Sequence, residues 1–422
     1  MNAADLSPVA SGTQTQSGWD LFLIFAAANI VATTLQVGAS LGGVSSPARM
    51  MGVVALGAAL GAGLVAVLAP VGSRLGVPSM VAARAALGHT GAAVVATVLF
   101  VTNFAWIAVN DVIAASVCAR LLPLPVSERE WAIVLGLVST AVVAGGPAAV
   151  RRADRWAVPL MVVAGLVITW AVLRLPSPPV TTEAATGAPA LSLPFLLDVV
   201  IGYQVSWLLM FADYSRFTRS ARASGWAVFL GLSLTALWLM PLGWRLAQHA
   251  GSADPGAMLA SADVGMLAAV LITLATVTTN FVNIYLSSLA WRSVMPSVPA
   301  TGAVWIVGLV GTVLGAVAGA WLDRFAEFMT VVGSVLVPVG GVLIAHFVIA
   351  RRAAVVADLY DAHGAVRGVR WPGIAAWAAG IATYYALPVM WPAAGATVPS
   401  LAVAVAGYLL LDRRRASVRH DL

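Results

Sequence analysis

Within one apolar run the chain reads AWIAVND, Ala105 to Asp111, placing an indole, an amide and a carboxyl group close together. On a helix Trp106 and Asn110 stand one turn apart on one face, so a planar apolar surface lies beside a group that both donates and accepts hydrogen bonds. That pair is a receptor for a flat, hydrogen-bonding ring, with simple packing as the competing role of the indole. Asp111 is rotated about 100° from Asn110 and points toward another helix. A carboxylate at mid-membrane costs about 2.5–3.5 kcal/mol on insertion scales, so it either holds a structural hydrogen bond or does substrate, ion or proton work.

A second cluster lies in LATVTTNFVNIYLSSLAW. Ala275, Thr278 and Thr279 bring a backbone carbonyl and two hydroxyls into one helical neighbourhood, oxygen donors that suit a hard cation such as Na⁺. The competing role is back-bonding of the threonines to their own helix. Asn280 and Asn283 follow, and leaving either amide unpaired in lipid would be costly.

These residues sit on apolar segments of a chain that is 60% hydrophobic and only 9% charged over 422 residues, with a mean hydropathy of +0.93. Soluble domains carry about 25% charged residues, so the composition reads as an integral membrane protein. All 23 basic residues are arginine, and they punctuate the apolar runs without forming a basic tract, which argues against a nucleic-acid partner despite the net charge of +6. The single cysteine, Cys118, forms no intrachain disulfide. Residues 1–18 are polar and lack the pattern of a cleavable signal.

A hydrocarbon core about 30 Å thick needs roughly 20 apolar residues per helix, and twelve such runs are present, at about 19–43, 52–73, 91–119, 131–150, 156–174, 193–214, 225–247, 264–290, 302–322, 327–350, 371–391 and 396–412. With the N-terminus cytoplasmic, 17 of the 23 arginines fall on the cytoplasmic side, which orients both termini inward. Runs one and six carry polar residues in mid-span: Asn29, Thr33, Thr34, Gln36 and Gly38 in the first, Gly202, Gln204 and Ser206 in the sixth. Irregular backbone in a membrane is tolerated where it lines a protein-enclosed cavity, and transporters place it in corresponding segments of two repeats. The spacing therefore predicts broken helices in runs one and six, with runs 1–5 and 6–10 as inverted repeats. Enzyme chemistry is not visible: the five histidines are dispersed, and no GxxxxGK[ST] loop occurs.

Several ordered segments, NFAWIAVND, FADYSRFTRS, TTNFVNIYLSSL and FMTVVGSVLVPVGGVLIAHFVIARR, make residues 18–415 resemble the nucleobase:cation symporters, the family of cytosine permeases, purine-cytosine permeases and hydantoin transporters. The resemblance implies an all-α, twelve-helix, leucine-transporter-like fold. It would comprise a tail at 1–18, five-helix repeats at 19–174 and 193–350, two peripheral helices at 371–412, and a tail at 413–422. It implies that Trp106 stacks on the substrate ring, that Asn110 contacts it, and that Asn280 or Asn283 supplies a substrate-binding amide. It also implies a Na⁺ site on Ala275, Thr278 and Thr279 of helix eight with Ala28 and Val31 of helix one. Where the family places a second aromatic, Gln204 stands here, with Tyr203 and Trp207 nearby: either a neighbour completes the sandwich or the ligand is more polar on that face. Asn29 joins the substrate-site set, and so does Asp111, which favours a ligand rich in N–H donors or accepts a coupling proton.

The function implied is import of a pyrimidine-like heterocycle, cytosine or hydroxymethylpyrimidine, by Na⁺ symport in the cytoplasmic membrane, with no cofactor beyond the coupling ion. The competing readings are an H⁺-coupled transporter of a purine, uracil, allantoin or hydantoin, and a non-transporting membrane receptor.

Overall fold

The computed structural model describes residues 7–10, 12–176, 192–294, 297–319, 324–361 and 363–420. Its first element sets the pattern for the rest. The Ser17 side chain accepts from Asp20 N–H, and the Asp20 carboxylate accepts from Ser17 N–H at 2.8 Å, a reciprocal cap that starts α1 (Gly18–Asn29). The helix stops at Ile30 and Val31, whose backbone leaves helical geometry, and resumes as α2 (Ala32–Ser40) bent by 58°. Every residue from Ala32 to Ala39 is buried, which puts this break in the middle of the protein.

The chain continues through α3 (Pro47–Leu75), α4 (Ser79–Leu121), α5 (Glu128–Ala144), α6 (Pro147–Arg174) and α7 (Leu193–Val205). Past Ser206 it runs through short 3₁₀ turns at Leu208–Met210 and Ser215–Phe217. Then come α8 (Ala221–Ala250), the short α9 (Pro255–Ser261), α10 (Gly265–Val294), α11 (Ala300–Val317) and α12 (Phe325–Ile344), which exits through a π-helical turn at Ala345–Ile349. After α13 (Val356–Tyr360), α14 (Trp371–Met390) and α15 (Thr397–His420) close the chain. Among the described residues each apolar run falls on these helices, the fourth extending past α5 into the start of α6. Among the described residues, six helices are individually long and apolar enough to cross a membrane, and α1 with α2 forms a bent seventh. The second break is not a mirror of the first, because run six resumes as 3₁₀ turns and not as a regular half-helix.

Packing couples the two halves of the chain. The α1–α2 pair lies on α8, α3 lies on both α7 and α8, α4 on α10, and α5 on α11. The α2–α8 contact is backbone to backbone: a methyl added at Gly38 would stand 1.9 Å from the Met240 carbonyl oxygen, and one at Gly243 would stand 1.9 Å from that of Leu35. In lipid, where apolar burial distinguishes little between partners, such small-residue seams let helices approach closely. The last helix is anchored by charge. Asp198 of α7 accepts from the Ala396 and Thr397 N–H groups at 2.9 and 3.0 Å, satisfying donors at the start of α15.

Three expectations change. The helix that carries the third run starts earlier, at Ser79, and Gly88 at φ +79° divides it ahead of the run, where the segment before α14 fills the gap. His89 and Thr90 donate to the Val366 and Gly368 carbonyls while Arg370 donates to that of Leu87. The arginines expected between runs four and five, Arg151, Arg152 and Arg155, lie inside α6, because Gly146 at φ +82° and Pro147 start that helix early. The C-terminal helix continues past the apolar run to His420. At the other end, Val9 N–H donates to the Gly76 carbonyl, and the Gln14 side chain donates to the Ser73 and Arg216 carbonyls. The polar N-terminal segment is thus strapped across the end of α3 and the turns after α7. The long connection at 177–191 and the end of run nine lie outside the described residues.

Candidate functional site

A cavity opens where the two broken segments meet α4 and α10. It is lined by Ala28, Val31 and Thr33 at the first break, by Tyr203, Ser206, Trp207 and Met210 at the second, by Asn103, Trp106 and Asn110 of α4, and by Thr279 and Asn283 of α10. In this conformation it is small, about 30 Å³, space on the scale of water molecules.

Helical spacing explains the α4 wall. Asn103, Trp106 and Asn110 sit at positions i, i+3 and i+7 and so share one face. Trp106 is 9% exposed and is braced edge-on by three rings: Phe328 at 5.3 Å, Tyr203 at 5.9 Å and Phe325 at 6.4 Å between centroids. Edge-to-face contacts of this kind fix an indole's orientation. Among the described residues none of these rings lies parallel to it. Trp207, from the second break, packs edge-on against Phe25 at 6.1 Å, and its buried indole N–H has no hydrogen-bond partner.

The polar groups divide into those that line the cavity and those that support it. Asn110 donates to Asn280 Oδ1 at 3.1 Å, and its own Oδ1 is left unpaired. The Asn103 amide nitrogen is also buried without a partner. Asn283 donates weakly to Asn280 Oδ1 at 3.5 Å. Asn280 itself does not line the cavity, because its amide nitrogen donates to Asp111 Oδ1 at 2.8 Å and to the Ile107 carbonyl at 3.2 Å. Asp111 stands behind it, 1% exposed, in a slot that Gly136 of α5 and Gly315 of α11 keep open: a methyl at Gly136 would come within 2.7 Å of Asp111 Oδ2.

Two other sequence-derived residues are likewise set back. Gln204 donates to the Leu232 carbonyl at 3.2 Å, with its Cβ facing Gly61 of α3. Asn29 donates to the Leu232 carbonyl and to Thr235 Oγ1 at 2.8 Å. Both therefore face α8, and in this conformation Gln204, Asn29, Asn280 and Asp111 stand behind the cavity wall. At the position where a second aromatic is expected, Tyr203 and Trp207 reach the cavity instead of Gln204.

Of the residues implied for sodium, Ala28, Val31 and Thr279 line this cavity, and Thr278 contacts the Met161 sulfur at 3.9 Å. Ala275 lies on α10 one turn before Thr279. Sequence reasoning passed over Asn103 and Met210, and it read Thr33 and Ser206 as marks of the breaks and not as lining residues. The same-face spacing from Trp106 would have found Asn103, whereas the other three depend on how the broken segments turn.

Comparison with known proteins agrees with this fold. The cytosine permease of Escherichia coli (strain K12) is 26% identical over 357 residues, 83% of this chain and 81% of that one. The structure of Mhp1, a nucleobase-cation-symport-1 family transporter in a closed conformation with bromovinylhydantoin bound, superposes with a TM-score of 0.80 at 18% identity. That match covers 98% of this chain and 95% of the other. A Na⁺-coupled sialic acid symporter shares the overall fold more distantly, with a TM-score of 0.55 at 11% identity, over 93% and 95% of the two chains. The leucine-transporter-like, all-helical architecture expected from the sequence is therefore the fold, and the relatives are transporters and not enzymes. Residues 8–410 match the permeases for cytosine/purines, uracil, thiamine and allantoin, and the chain, a multi-pass membrane protein, belongs to that family.

Proposed function

We propose that this permease is a secondary active transporter that imports a planar, pyrimidine-like heterocycle by Na⁺ symport, with alternating access around the cavity between the two breaks. The observation that carries the reading is the composition of that cavity. An indole braced edge-on by three rings stands beside unpaired amide and indole groups, and hydroxyl and backbone donors of the first break and α10 lie close by. A flat ring stacks on Trp106, Tyr203 or Trp207 closes the other face, and Asn110 and Asn283 meet the ring edge. Cytosine and hydroxymethylpyrimidine are the favoured substrates. Mhp1 with bromovinylhydantoin bound supplies a neighbour in which a heterocycle is held on this fold.

Na⁺ held by Ala28, Val31, Ala275, Thr278 and Thr279 would tie the first break to α10, and so raise substrate affinity by the same factor that substrate raises sodium affinity. The arginine distribution supports an orientation in the cytoplasmic membrane with both termini inside. Proton coupling through Asp111 is the second reading, favoured by its burial and by the unpaired Oδ2.

A thermal-shift screen of nucleobases and thiamine precursors, with and without Na⁺, followed by uptake into proteoliposomes, tests the proposal. Ligand stabilisation that grows with Na⁺ and uptake driven by a sodium gradient support it. Uptake that persists without sodium and fails in Asp111→Asn transfers the coupling to protons, and binding without any uptake returns the protein to a receptor role.

A further inference from the structure

The carboxylate of Asp111 does not line the cavity, yet the orientation of the cavity's amide edge follows from it. The Ile107 carbonyl, which can only accept, and the Asp111 carboxyl oxygen receive the Asn280 amide nitrogen at 3.2 and 2.8 Å. With both of its N–H groups so directed, Asn280 must turn its Oδ1 toward α4, where Asn110 Nδ2 meets it at 3.1 Å. Asn110 thereby commits one of its two N–H groups to Asn280. Its Oδ1 is left without a partner on a residue that lines the cavity and is 1% exposed. Asn283, which also lines the cavity, turns its nitrogen toward the same Asn280 oxygen at 3.5 Å. The Asn110 edge of the site therefore presents one unmet acceptor, set by a residue one layer behind it. An unmet buried acceptor costs free energy that only a ligand donor restores.

We propose that Asp111 is a positioning residue for specificity. Acting through Asn280, it fixes the Asn110 carbonyl oxygen toward the cavity, so that the site selects rings presenting an N–H donor at that edge, as amino-substituted rings do, over rings presenting a carbonyl there. The inference rests on the reading that the cavity takes a planar heterocycle. It assigns Asp111 no contact with substrate and no proton transfer; what matters is an acceptor oxygen at this position, which asparagine can also supply.

The test is competitive binding to the purified full-length protein of two ring pairs that differ in amino against carbonyl substitution, cytosine with uracil and adenine with hypoxanthine. The wild type should prefer the amino member. Asp111→Asn keeps an acceptor for Asn280 and should hold that preference within about threefold, whereas Asp111→Leu should reduce it by about fivefold to tenfold, the ratio given by the net contribution of one hydrogen bond. Asn280→Ser removes the bridge while leaving Asp111 in place. It should reduce the preference by the same factor, which keeps the proposal testable where Asp111→Leu does not fold. An unchanged preference in Asp111→Leu or Asn280→Ser, or a preference lost in Asp111→Asn, overturns it. Absence of binding by all four rings to the wild type removes the heterocycle reading and this inference together. Binding without an amino preference in the wild type removes this inference alone.

Discussion

The Tyr203 phenol meets the Thr34 hydroxyl at 2.6 Å, and Thr34 in turn donates to the Asn29 carbonyl at 2.5 Å. Since the Thr34 proton is committed to a carbonyl, Tyr203 is the donor, and the short chain that results joins α7 to both sides of the α1–α2 break. The two interrupted segments are thereby held to each other and not only to the helices around them. Thr33, at 3.3 Å from the same phenol, offers a second partner.

Tyr203→Phe should therefore destabilise the protein by about 1 kcal/mol, the net worth of one buried hydrogen bond whose remaining partner keeps another. Thr34 retains the Asn29 carbonyl, and Thr33, whose hydroxyl loses the phenol oxygen, lines the cavity. A lower thermal midpoint in detergent, with the ring-stacking surface intact, is the expected result; an unchanged midpoint removes the phenol from the link between the breaks.

Under the proposed Na⁺ coupling, Thr279→Ala should weaken the stimulation of ligand binding by sodium. Coupling between two ligands is typically about 1–3 kcal/mol, or roughly 5- to 150-fold in affinity, and loss of one oxygen ligand should remove a measurable share of it. Titrating Na⁺ at fixed ligand in a thermal-shift assay reads the effect. A sodium dependence identical to the wild type would take Thr279 out of the ion site and leave it as a wall of the cavity.

The sequence carried the elements better than it carried the rotations. Hydropathy locates every apolar run because the bilayer forces length and composition together, and polar residues in mid-span mark both breaks because lipid tolerates them only at a cavity. The direction of a side chain around its helix is another matter. Tyr203 and Gln204 are neighbours in sequence, yet the phenol faces the cavity while the amide faces α8, a difference of about 100° of helical rotation that resemblance alone does not resolve. Asn280 and Asn283 share a helix face, and only the position of Asp111 shows that the first is spent on support while the second reaches the cavity. The break at Gly88 was also illegible, because what makes it stable is the distant segment around Val366 to Arg370 that takes its hydrogen bonds.

Trp106→Ala should weaken ligand binding by about 5- to 150-fold, the range that corresponds to about 1–3 kcal/mol for stacking a base on an aromatic side chain. Trp106→Phe should fall between the alanine variant and the wild type, because a smaller ring still offers a face. Phe325 and Phe328 brace the indole without lining the cavity. Phe328→Leu should thus lower affinity through loosened orientation and by less than Trp106→Ala. Calorimetric binding to variants that elute as monodisperse protein checks the order. Unaltered affinity in Trp106→Ala would end the stacking proposal.

Gly38→Ala and Gly243→Ala should each be far more disruptive than their single added methyl implies. The new carbon would stand 1.9 Å from a backbone carbonyl oxygen on the facing helix in both cases, and backbone cannot rotate aside as a side chain can. Relief requires α2 and α8 to separate, breaking the seam that seats the first break, so the cost should exceed the ~1–3 kcal/mol of ordinary overpacking. Gly52→Ala and Gly63→Ala on α3 are the controls, since a methyl at either meets nothing within 4 Å; both should leave the protein at wild-type level or slightly better, as alanine favours a helix by up to about 1 kcal/mol over glycine. Size-exclusion profiles of the four variants extracted from membranes separate the two classes. Normal folding of Gly38→Ala and Gly243→Ala would mean that α2 is not held against α8 by direct backbone approach, and that the break is supported from elsewhere.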